Sequence, residues 1–234
     1  MNLFYAPNIE GKYYTLNKEE SKHIIKVLRK TEGEIIHFTN GNGLFFETQI
    51  ISAIPSACEV EILKSYEGND KRNYKLHIAI APTKNNDRTE WFLEKSTEIG
   101  IDEITPIICE QSERKVVKHD RFEKVITAAV KQSLKSFHPQ LNEQQKLKDF
   151  LTIDFKGQKF IAYIDEDVTL ELPYIYKKGE DVLILIGPEG DFRPEEVELA
   201  KQKGFIPISL GNFRLRTETA AVVACNTISI LNSI

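Results

Sequence analysis

Two short loops near the end of the chain carry the residue types best suited to a binding site. The first, Gly187-Pro188-Glu189-Gly190, follows the wholly apolar run 182–186. The second begins at Gly211-Asn212, after the apolar run 206–210. Loops with glycines and few cations suit an uncharged, flat group, such as an adenine or a nucleoside, that backbone amides would hold. The alternative is that these glycines only turn the chain.

The elements around the two loops predict how they are positioned. Runs this short and β-branched are typical of buried strands, and strands apolar on both faces belong to parallel sheets covered by helices. A helix is predicted between them, with Pro194 near its start, Glu195 and Glu196 in its first turn and Gly204 just past its end. Both strands of such a β-α-β unit end at the sheet edge where ligands of open α/β sheets bind.

Neither loop has the spacing of a known phosphate-binding loop. The chain contains no G-x-x-x-x-G-K-[ST], and the first loop lacks the G-x-G-x-x-G pattern. This counts against a nucleotide-dependent oxidoreductase, which the β-α-β unit would otherwise allow. His, Cys and Asp residues do not cluster with the spacing of metal ligands, so no metal site is predicted.

Composition limits the class of protein. The 234 residues are 41% hydrophobic and 28% charged, which is ordinary for one large or two small soluble domains. No apolar run approaches the ~20 residues needed to cross a bilayer, and the N-terminus lacks a signal-peptide pattern, so a cytoplasmic protein with no membrane partner is predicted. Cys58, Cys109 and Cys225 are far apart and suit small buried hydrophobes in a reducing compartment.

Charge is unevenly distributed. The net charge is -4, but residues 111–137 carry seven Lys/Arg against three Asp/Glu, whereas residues 138–200 carry seven against fourteen. A protein can bind RNA with one basic face and stay acidic overall. The alternative is that these charges belong to solvated helix faces.

The first part of the chain predicts a small β-rich domain. Asn17, with Glu20 three residues later, has the pattern of an N-cap and opens a predicted helix over 18–28. The turn Asn40-Gly41-Asn42-Gly43 is a strong hairpin signal. The polar stretch 67–74 is the best linker candidate. Strands are predicted at 34–38, 44–51 and 58–64.

The second part predicts a mostly parallel α/β sheet. Capping patterns at Asp87 and Asp120 open two helices, the first of which ends at Gly100. The C-terminal helix predicted over 219–231 is apolar all round, which fits either a subunit interface or a central core helix. The alternation of strands and helices indicates the fold class. Further strands are predicted at 75–81, 103–109 and 159–164.

Several motifs resemble one family. IGPEG followed by LG-x-x-x-LRTETA resembles the paired signature of the ribosomal RNA small-subunit methyltransferase E family, knotted (SPOUT-type) enzymes that use S-adenosylmethionine. HIIKVLRKTEGEIIHFTNGNG resembles their PUA-like domain, and KNNDRTEWFLEKSTEIGIDEITPIICEQSERKV resembles their middle region. The resemblance implies a PUA-like, RNA-binding β-barrel domain over 1–70 and a methyltransferase domain over 71–234. That second domain would be an α/β sheet with a C-terminal trefoil knot, and the protein a homodimer.

The same resemblance implies a reaction. The sulfonium methyl of S-adenosylmethionine would be transferred to N3 of a uridine in small-subunit (16S) ribosomal RNA, either naked or in the assembled subunit. Two positions depart from the family pattern: Asp191 stands where a second glycine is frequent, and Lys135 stands where an arginine is usual. Lys135 keeps the charge but loses the planar fork of arginine. A non-catalytic, knotted RNA-binding protein is the alternative that these departures leave open.

The resemblance also implies site residues. Arg216 would stabilise the negative charge that develops on the uracil, or would only pair with Glu189 or Glu218. Glu218 is a candidate base, although a Glu in a first helical turn is often there for the helix dipole. Thr217 is expected to be an N-cap. Residues expected to hold the cofactor are Gly187, Pro188, Glu189, Gly190, Leu210, Gly211, Leu215, Thr217, Thr219 and Ala220.

Two of these residues have a specific expected contact, and a further set is expected to contact RNA. Leu210 and Leu215 would sandwich the adenine, or would simply pack in the core. Basic side chains in both domains would contact the phosphates. The RNA-binding set is His23, Arg29, Lys30, Lys84, Arg88, Lys95, Arg114 and Lys135.

Overall fold

The computed structural model describes residues 2–165 and 167–234, which form two compact units. The first unit comprises the chain up to Lys71 together with Val130–His138. The second comprises Arg72–Ala129 and Pro139–Ile234. A short segment from the middle of the chain therefore belongs to the first unit.

The first unit is built on a five-stranded sheet in the order β1-β3-β4-β5-β2. Strands β1 and β3 are parallel, and the other neighbours are antiparallel. The Asn40–Gly43 hairpin is confirmed, because Thr39 pairs with Phe45 across it. Two edge strands were not predicted, since each has only three residues. The elements are β1 (Leu3–Tyr5), β2 (Tyr13–Thr15), α1 (Lys18–Lys22), β3 (Ile35–Thr39), β4 (Leu44–Ser52) and β5 (Glu59–Glu67).

The predicted helix over 18–28 is confirmed with one change of geometry. Asn17 is its N-cap, because the side chain accepts a hydrogen bond of 2.9 Å from the backbone N–H of Glu20. After α1 the helix continues as a π-helical turn over His23–Val27. Ile24 in that turn is fully buried in the apolar core beneath the sheet.

The second unit alternates strands and helices. Its sheet has the order β12-β10-β11-β6-β7-β8, with β9 also pairing with β7, and every pair is parallel. The predicted fold class is confirmed. The elements are β6 (Leu76–Ile80), α2 (Asn86–Ile99), β7 (Glu103–Ile108), α3 (His119–Gln132), β8 (Gln140–Leu141), β9 (Gln145–Lys146), α4 (Leu147–Phe150), β10 (Gln158–Ala162), α5 (Leu172–Ile175), β11 (Val182–Ile186), α6 (Pro194–Gln202), β12 (Ile206–Ile208) and α7 (Thr217–Ser233).

The path of the chain around β12 is unusual. Strand β12 pairs on one side with β10, and on its other side Ser209 pairs in parallel with Glu171. The backbone N–H of Leu172 donates to the Ser209 carbonyl at 3.2 Å, and the Ser209 N–H donates to Leu170 at 2.8 Å. The connector from β10 therefore runs outside β12 before it returns to β11. Strand β12 therefore lies between this connector and β10, which is the arrangement that a threaded C-terminal segment requires.

Three predicted caps are wrong. Helix α2 is capped by Asn85, whose side chain accepts from the Asp87 N–H at 3.1 Å, because the helix begins before the predicted box. Helix α3 begins at His119, so Asp120 lies inside its first turn. The N-cap of α7 is Arg216, and Thr217 is the first helical residue. In each case the sequence pattern misplaces the helix start by one or two residues.

Helix α7 packs within the second unit against α2, β6 and β11. Its buried residues are Thr217, Glu218, Ala221, Ala224, Cys225 and Ile228. The other side is only half-buried, and Ile230 is 49% exposed. The helix is therefore a core helix on one face and carries apolar residues on the other.

Candidate functional site

The loops that follow β10, β11 and β12 enclose a cavity of about 630 Å³ at the carboxyl edge of the sheet. The start of α7 closes it, through Arg216, Thr217 and Ala220. Strand β10 lies between β11 and β12, so the loops after all three strands must meet there. The volume lies within the range of pockets for drug-sized ligands and cofactors.

Most of the predicted cofactor residues line this cavity. Leu210 and Leu215 are half-buried in its wall instead of filling the core. Gly190 and Thr219 are not among the lining residues. The predicted residues in the wall are Gly187, Pro188, Glu189, Leu210, Gly211, Leu215, Thr217 and Ala220.

Two glycines in the wall have identifiable reasons to be glycine. Gly211 has a φ of +123°, a conformation that side chains rarely adopt. At Gly187, an added Cβ would lie 3.0 Å from the buried Phe192 ring, so a larger residue would force one of the two to move. Gly211 lies in a bend of the wall, whereas Gly187 directly precedes the turn that Asp191 and Pro188 close.

Sequence reasoning missed part of the site. The loop after β10 contributes Tyr163, Ile164 and Asp165, and the loop after β12 contributes Phe213 and Arg214. The strand before the first of these loops was predicted, but its position between β11 and β12 is not visible in sequence. Phe213 is 86% exposed, although phenylalanine is among the residue types most often buried.

Glu189 connects the first loop to the loop after β6. Its Oε1 accepts a hydrogen bond of 2.9 Å from the backbone N–H of Lys84. Its Oε2 is buried and, within residues 2–165 and 167–234, has no hydrogen-bond partner. One acceptor of a half-buried carboxylate in the cavity wall is thus left for a ligand donor.

Glu218 and Arg216 lie in different settings, although both lie at the start of α7. Glu218 is buried and does not line the cavity; its Oε1 lies 3.8 Å from Nε of Arg88. Arg216 is exposed and borders the cavity, and no carboxylate among the described residues lies within 4.0 Å of its charged nitrogens. The expected alternative, a pairing of Arg216 with Glu189 or Glu218, is therefore not observed.

Three predicted RNA-binding residues of the second unit, Lys84, Arg88 and Arg114, lie near the carboxylates of Glu189 and Glu218. Nε of Arg114 donates to the Thr83 carbonyl at 3.0 Å, and Nζ of Lys84 lies 2.7 Å from Glu113. Lys84 and the Thr83 carbonyl both lie in the loop after β6, and Arg88 lies in the first turn of α2, which follows that loop. Lys95, farther along α2, is paired with Glu94 and Glu98 at 2.6 and 3.0 Å.

The remaining four belong to the first unit. His23 and Arg29 are exposed, and Arg29 has a φ of +56° just after the helix. Lys30 is half-buried and pairs with Glu34 at 2.8 Å. Lys135 is half-buried, and its backbone N–H donates to Val130 at 3.1 Å.

The cavity fits the adenosine group that the sequence predicts. Apolar side chains of Ile186, Leu210 and Leu215 line it, and Gly187 and Gly211 in the same wall have no side chain to cover the backbone. The residues available to hold S-adenosylmethionine are therefore present. Among the described residues, no cluster of His, Cys, Asp or Glu has metal-binding geometry, and no helix is long and apolar enough to span a membrane.

Comparison with known proteins gives consistent matches over the whole chain. The model of the RNA methyltransferase domain matches residues 70–229, and that of the RNA methyltransferase PUA domain matches residues 16–63. Ribosomal RNA small subunit methyltransferase E of Mesomycoplasma hyopneumoniae is 28% identical, over 95% of this chain and 96% of that protein.

Solved structures agree. A probable rRNA-methyltransferase from Porphyromonas gingivalis superposes with a TM-score of 0.91 and 43% identity, covering 100% of this chain and 99% of that one. A ribosomal RNA small subunit methyltransferase E from Neisseria gonorrhoeae, bound to S-adenosyl methionine, gives a TM-score of 0.87 with 26% identity. That match covers 99% of this chain and 98% of the other.

Proposed function

Because this chain belongs to the ribosomal RNA small subunit methyltransferase E family, we propose that it methylates N3 of a uridine in small-subunit (16S) ribosomal RNA. The observation that carries the proposal is the cavity at the carboxyl edge, whose wall contains both halves of the IGPEG and LRTETA signature. The dependence on S-adenosylmethionine follows from the same family and from the bound ligand in the Neisseria gonorrhoeae structure. When bound, S-adenosylmethionine supplies a sulfonium methyl group that passes to the acceptor nitrogen and leaves a neutral thioether.

The tasks of the chain are to hold the donor and to prepare the acceptor. Uridine N3 carries a proton and is a poor nucleophile until that proton is released to solvent water. As it leaves, negative charge spreads onto the uracil oxygens, and a fixed cation at that point lowers the barrier. N3 lies on the Watson–Crick edge, so the base must be unpaired or turned out of its helix to reach the cavity.

Arg216 is the residue we assign to the developing anion. It borders the cavity, and its guanidinium has no carboxylate partner among the described residues, so its charge is available. Glu218 is the weaker candidate for a catalytic group, because it lies off the cavity wall and pairs with Arg88. We assign it the role of fixing Arg88 beside the site.

Phe213 is the residue we assign to the target base. Phe213 is 86% exposed and lines the cavity, as do the half-buried Leu210 and the cationic Arg214 and Arg216. A solvated aromatic ring next to positive charge is the usual surface on which an unstacked base is held. This part of the cavity wall then supplies stacking and charge for the acceptor.

RNA binding outside the site is proposed for the first unit and for the basic residues around the loop after β6. The family match to a PUA domain and the exposed His23 and Arg29 support the first. We also propose a homodimer, which is supported by the apolar, half-exposed side of α7 that includes Ile230. Sedimentation of the protein, with Ile230→Glu as the disrupting variant, tests the dimer.

The deciding experiment for the reaction uses ribosomal particles. Small subunits that lack the modification are incubated with the protein and methyl-labelled S-adenosylmethionine, and the labelled nucleoside is mapped and identified. We expect label in N3-methyluridine. Label in another nucleoside would refute the N3 assignment. Binding of S-adenosylmethionine with no transfer to any form of the subunit would favour the non-catalytic alternative.

A further inference from the structure

Asp191 lies in the cavity wall in an unusual backbone conformation. Its φ is +65°, and its N–H donates to the Pro188 carbonyl at 2.9 Å to close the turn after β11. Glycine adopts this left-handed region without cost, and Asn and Asp are among the few other residues that tolerate it. A position that suits glycine thus carries a carboxylate.

The carboxylate connects two of the three loops that form the cavity. Oδ1 accepts a hydrogen bond of 2.8 Å from the N–H of Phe192, and Oδ2 accepts one of 3.3 Å from the N–H of Ile164, in the loop after β10. Burial raises the pKa of the Asp191 carboxyl, and these two hydrogen bonds and the charge of Arg214 only partly oppose that change. The surroundings of the Asp191 carboxyl therefore stabilise its ionised form less well than water would.

A half-buried charge in a left-handed conformation costs stability, and such costs concentrate at functional sites. The turn itself does not need the charge, since asparagine would adopt the same conformation and still offer one acceptor. The charge of this wall residue is therefore available to act on a charged ligand in the cavity.

We propose that Asp191 makes the site prefer the methyl donor over the demethylated product. The inference rests on the proposed function, because it needs S-adenosylmethionine in this cavity. The donor carries a positive sulfonium charge, whereas S-adenosylhomocysteine has a neutral sulfur and is otherwise the same molecule. A carboxylate in the cavity wall attracts the first and not the second, and half-burial makes the attraction stronger than it would be in water. Product then leaves more readily than donor.

Calorimetric titration with both ligands tests this proposal, with Asp191→Asn as the variant. Asparagine keeps the tolerance for positive φ and one of the two acceptors. The charge and one backbone hydrogen bond are lost, and only the loss of charge acts differently on the two ligands. We expect binding of S-adenosylmethionine to weaken about fivefold, with S-adenosylhomocysteine within twofold of the unaltered protein. Asp154→Asn, the same change at an exposed position away from the cavity, should alter neither affinity.

Each other outcome has a definite meaning. If Asp191→Asn weakens both ligands equally, the carboxylate only joins the loops and the proposal is overturned; unchanged affinities overturn it as well. If the unaltered protein binds neither ligand, the proposed function fails first and this inference with it. Asp191→Gly, which also suits the backbone, serves as the second charge-free variant and must show the same loss of preference.

Discussion

The backbone N–H of Lys84 donates a hydrogen bond of 2.9 Å to Oε1 of Glu189, which joins the loop after β6 to the loop after β11 in the cavity wall. We expect Glu189→Ala to weaken binding of S-adenosylmethionine about fivefold to tenfold, because it removes a charged acceptor and frees both loops. Glu189→Gln keeps an acceptor for the same N–H and should retain most of the affinity. Calorimetry measures both, and equal affinities for Glu189→Ala and the unaltered protein would contradict the role.

Arg216 provides a test of transition-state stabilisation. We expect Arg216→Ala to lower turnover by about 10²–10³, the range seen when a group that stabilises a developing anion is removed. Affinity for S-adenosylmethionine should stay within about threefold, because the site offers the donor other contacts. Arg216→Lys, with a charge but without the planar fork, should recover part of the rate. Single-turnover methylation and calorimetry separate the two effects; near-normal turnover in Arg216→Ala ends the catalytic assignment.

Phe213 provides a test of base stacking. We expect Phe213→Ala to raise the KM for the RNA substrate about fivefold or more, because one stacked base is worth about 1–3 kcal/mol. Phe213→Tyr keeps the ring and should be close to the unaltered protein. Affinity for S-adenosylmethionine should not change in either variant. Steady-state methylation at varied RNA concentration measures the effect, and an unchanged KM in Phe213→Ala would remove the stacking assignment.

Arg29 and Lys95 differ in how available their charges are. Arg29 is exposed, whereas Lys95 is paired with two carboxylates. If both units contact phosphates, Arg29→Gln should lower the slope of log affinity against log salt by about 0.7–0.9, the value for one phosphate contact. Lys95→Gln should change it much less, because its charge is already neutralised locally. Filter binding to small-subunit RNA at several salt concentrations distinguishes the two; equal effects would contradict this argument.

His77 makes stability depend on pH. It is buried in β6, with Nε2 2.8 Å from the Thr105 hydroxyl, and burial lowers the pKa of His77 to about 4, although nearby Glu103 opposes the change. The unfolded chain binds this proton near pH 6.5, so stability is lost as the pH falls from about 6.5 towards about 4. At pH 5 the loss from this residue is about 2 kcal/mol.

The matching variant is His77→Gln, which keeps an amide near Thr105 but does not titrate. Urea unfolding at pH 7.5 and pH 5 measures the free energy of unfolding of each protein. We expect the unaltered protein to lose about 2 kcal/mol more than the variant over this interval. Parallel losses in the two proteins would show that His77 does not titrate as described.

Local patterns in the sequence were sufficient for the elements and for much of the cavity wall. The apolar run 182–186 and the Pro194 and Gly204 signals around α6 depend on neighbours in the chain, and the structure has them as predicted. The second predicted run, 206–210, forms a strand only over Ile206–Ile208, and Leu210 lies in the loop that follows. The hairpin at Asn40–Gly43 and the cap at Asn17 are of the same kind. The caps at Asp87, Asp120 and Thr217 failed because several polar residues compete at each helix start, and tertiary packing chooses among them.

The sequence by itself determined two of the three loops that line the cavity, those after β11 and β12, because glycine, proline and charge at fixed spacing act locally. Only the tertiary structure decided what faces those loops. The order of strands places Ile164 beside Asp191 and puts β12 between β10 and the connector that runs from β10 to β11. It also leaves Phe213 exposed to solvent. Strand order is a long-range property, set by which apolar faces are buried together, and no short stretch of residues records it.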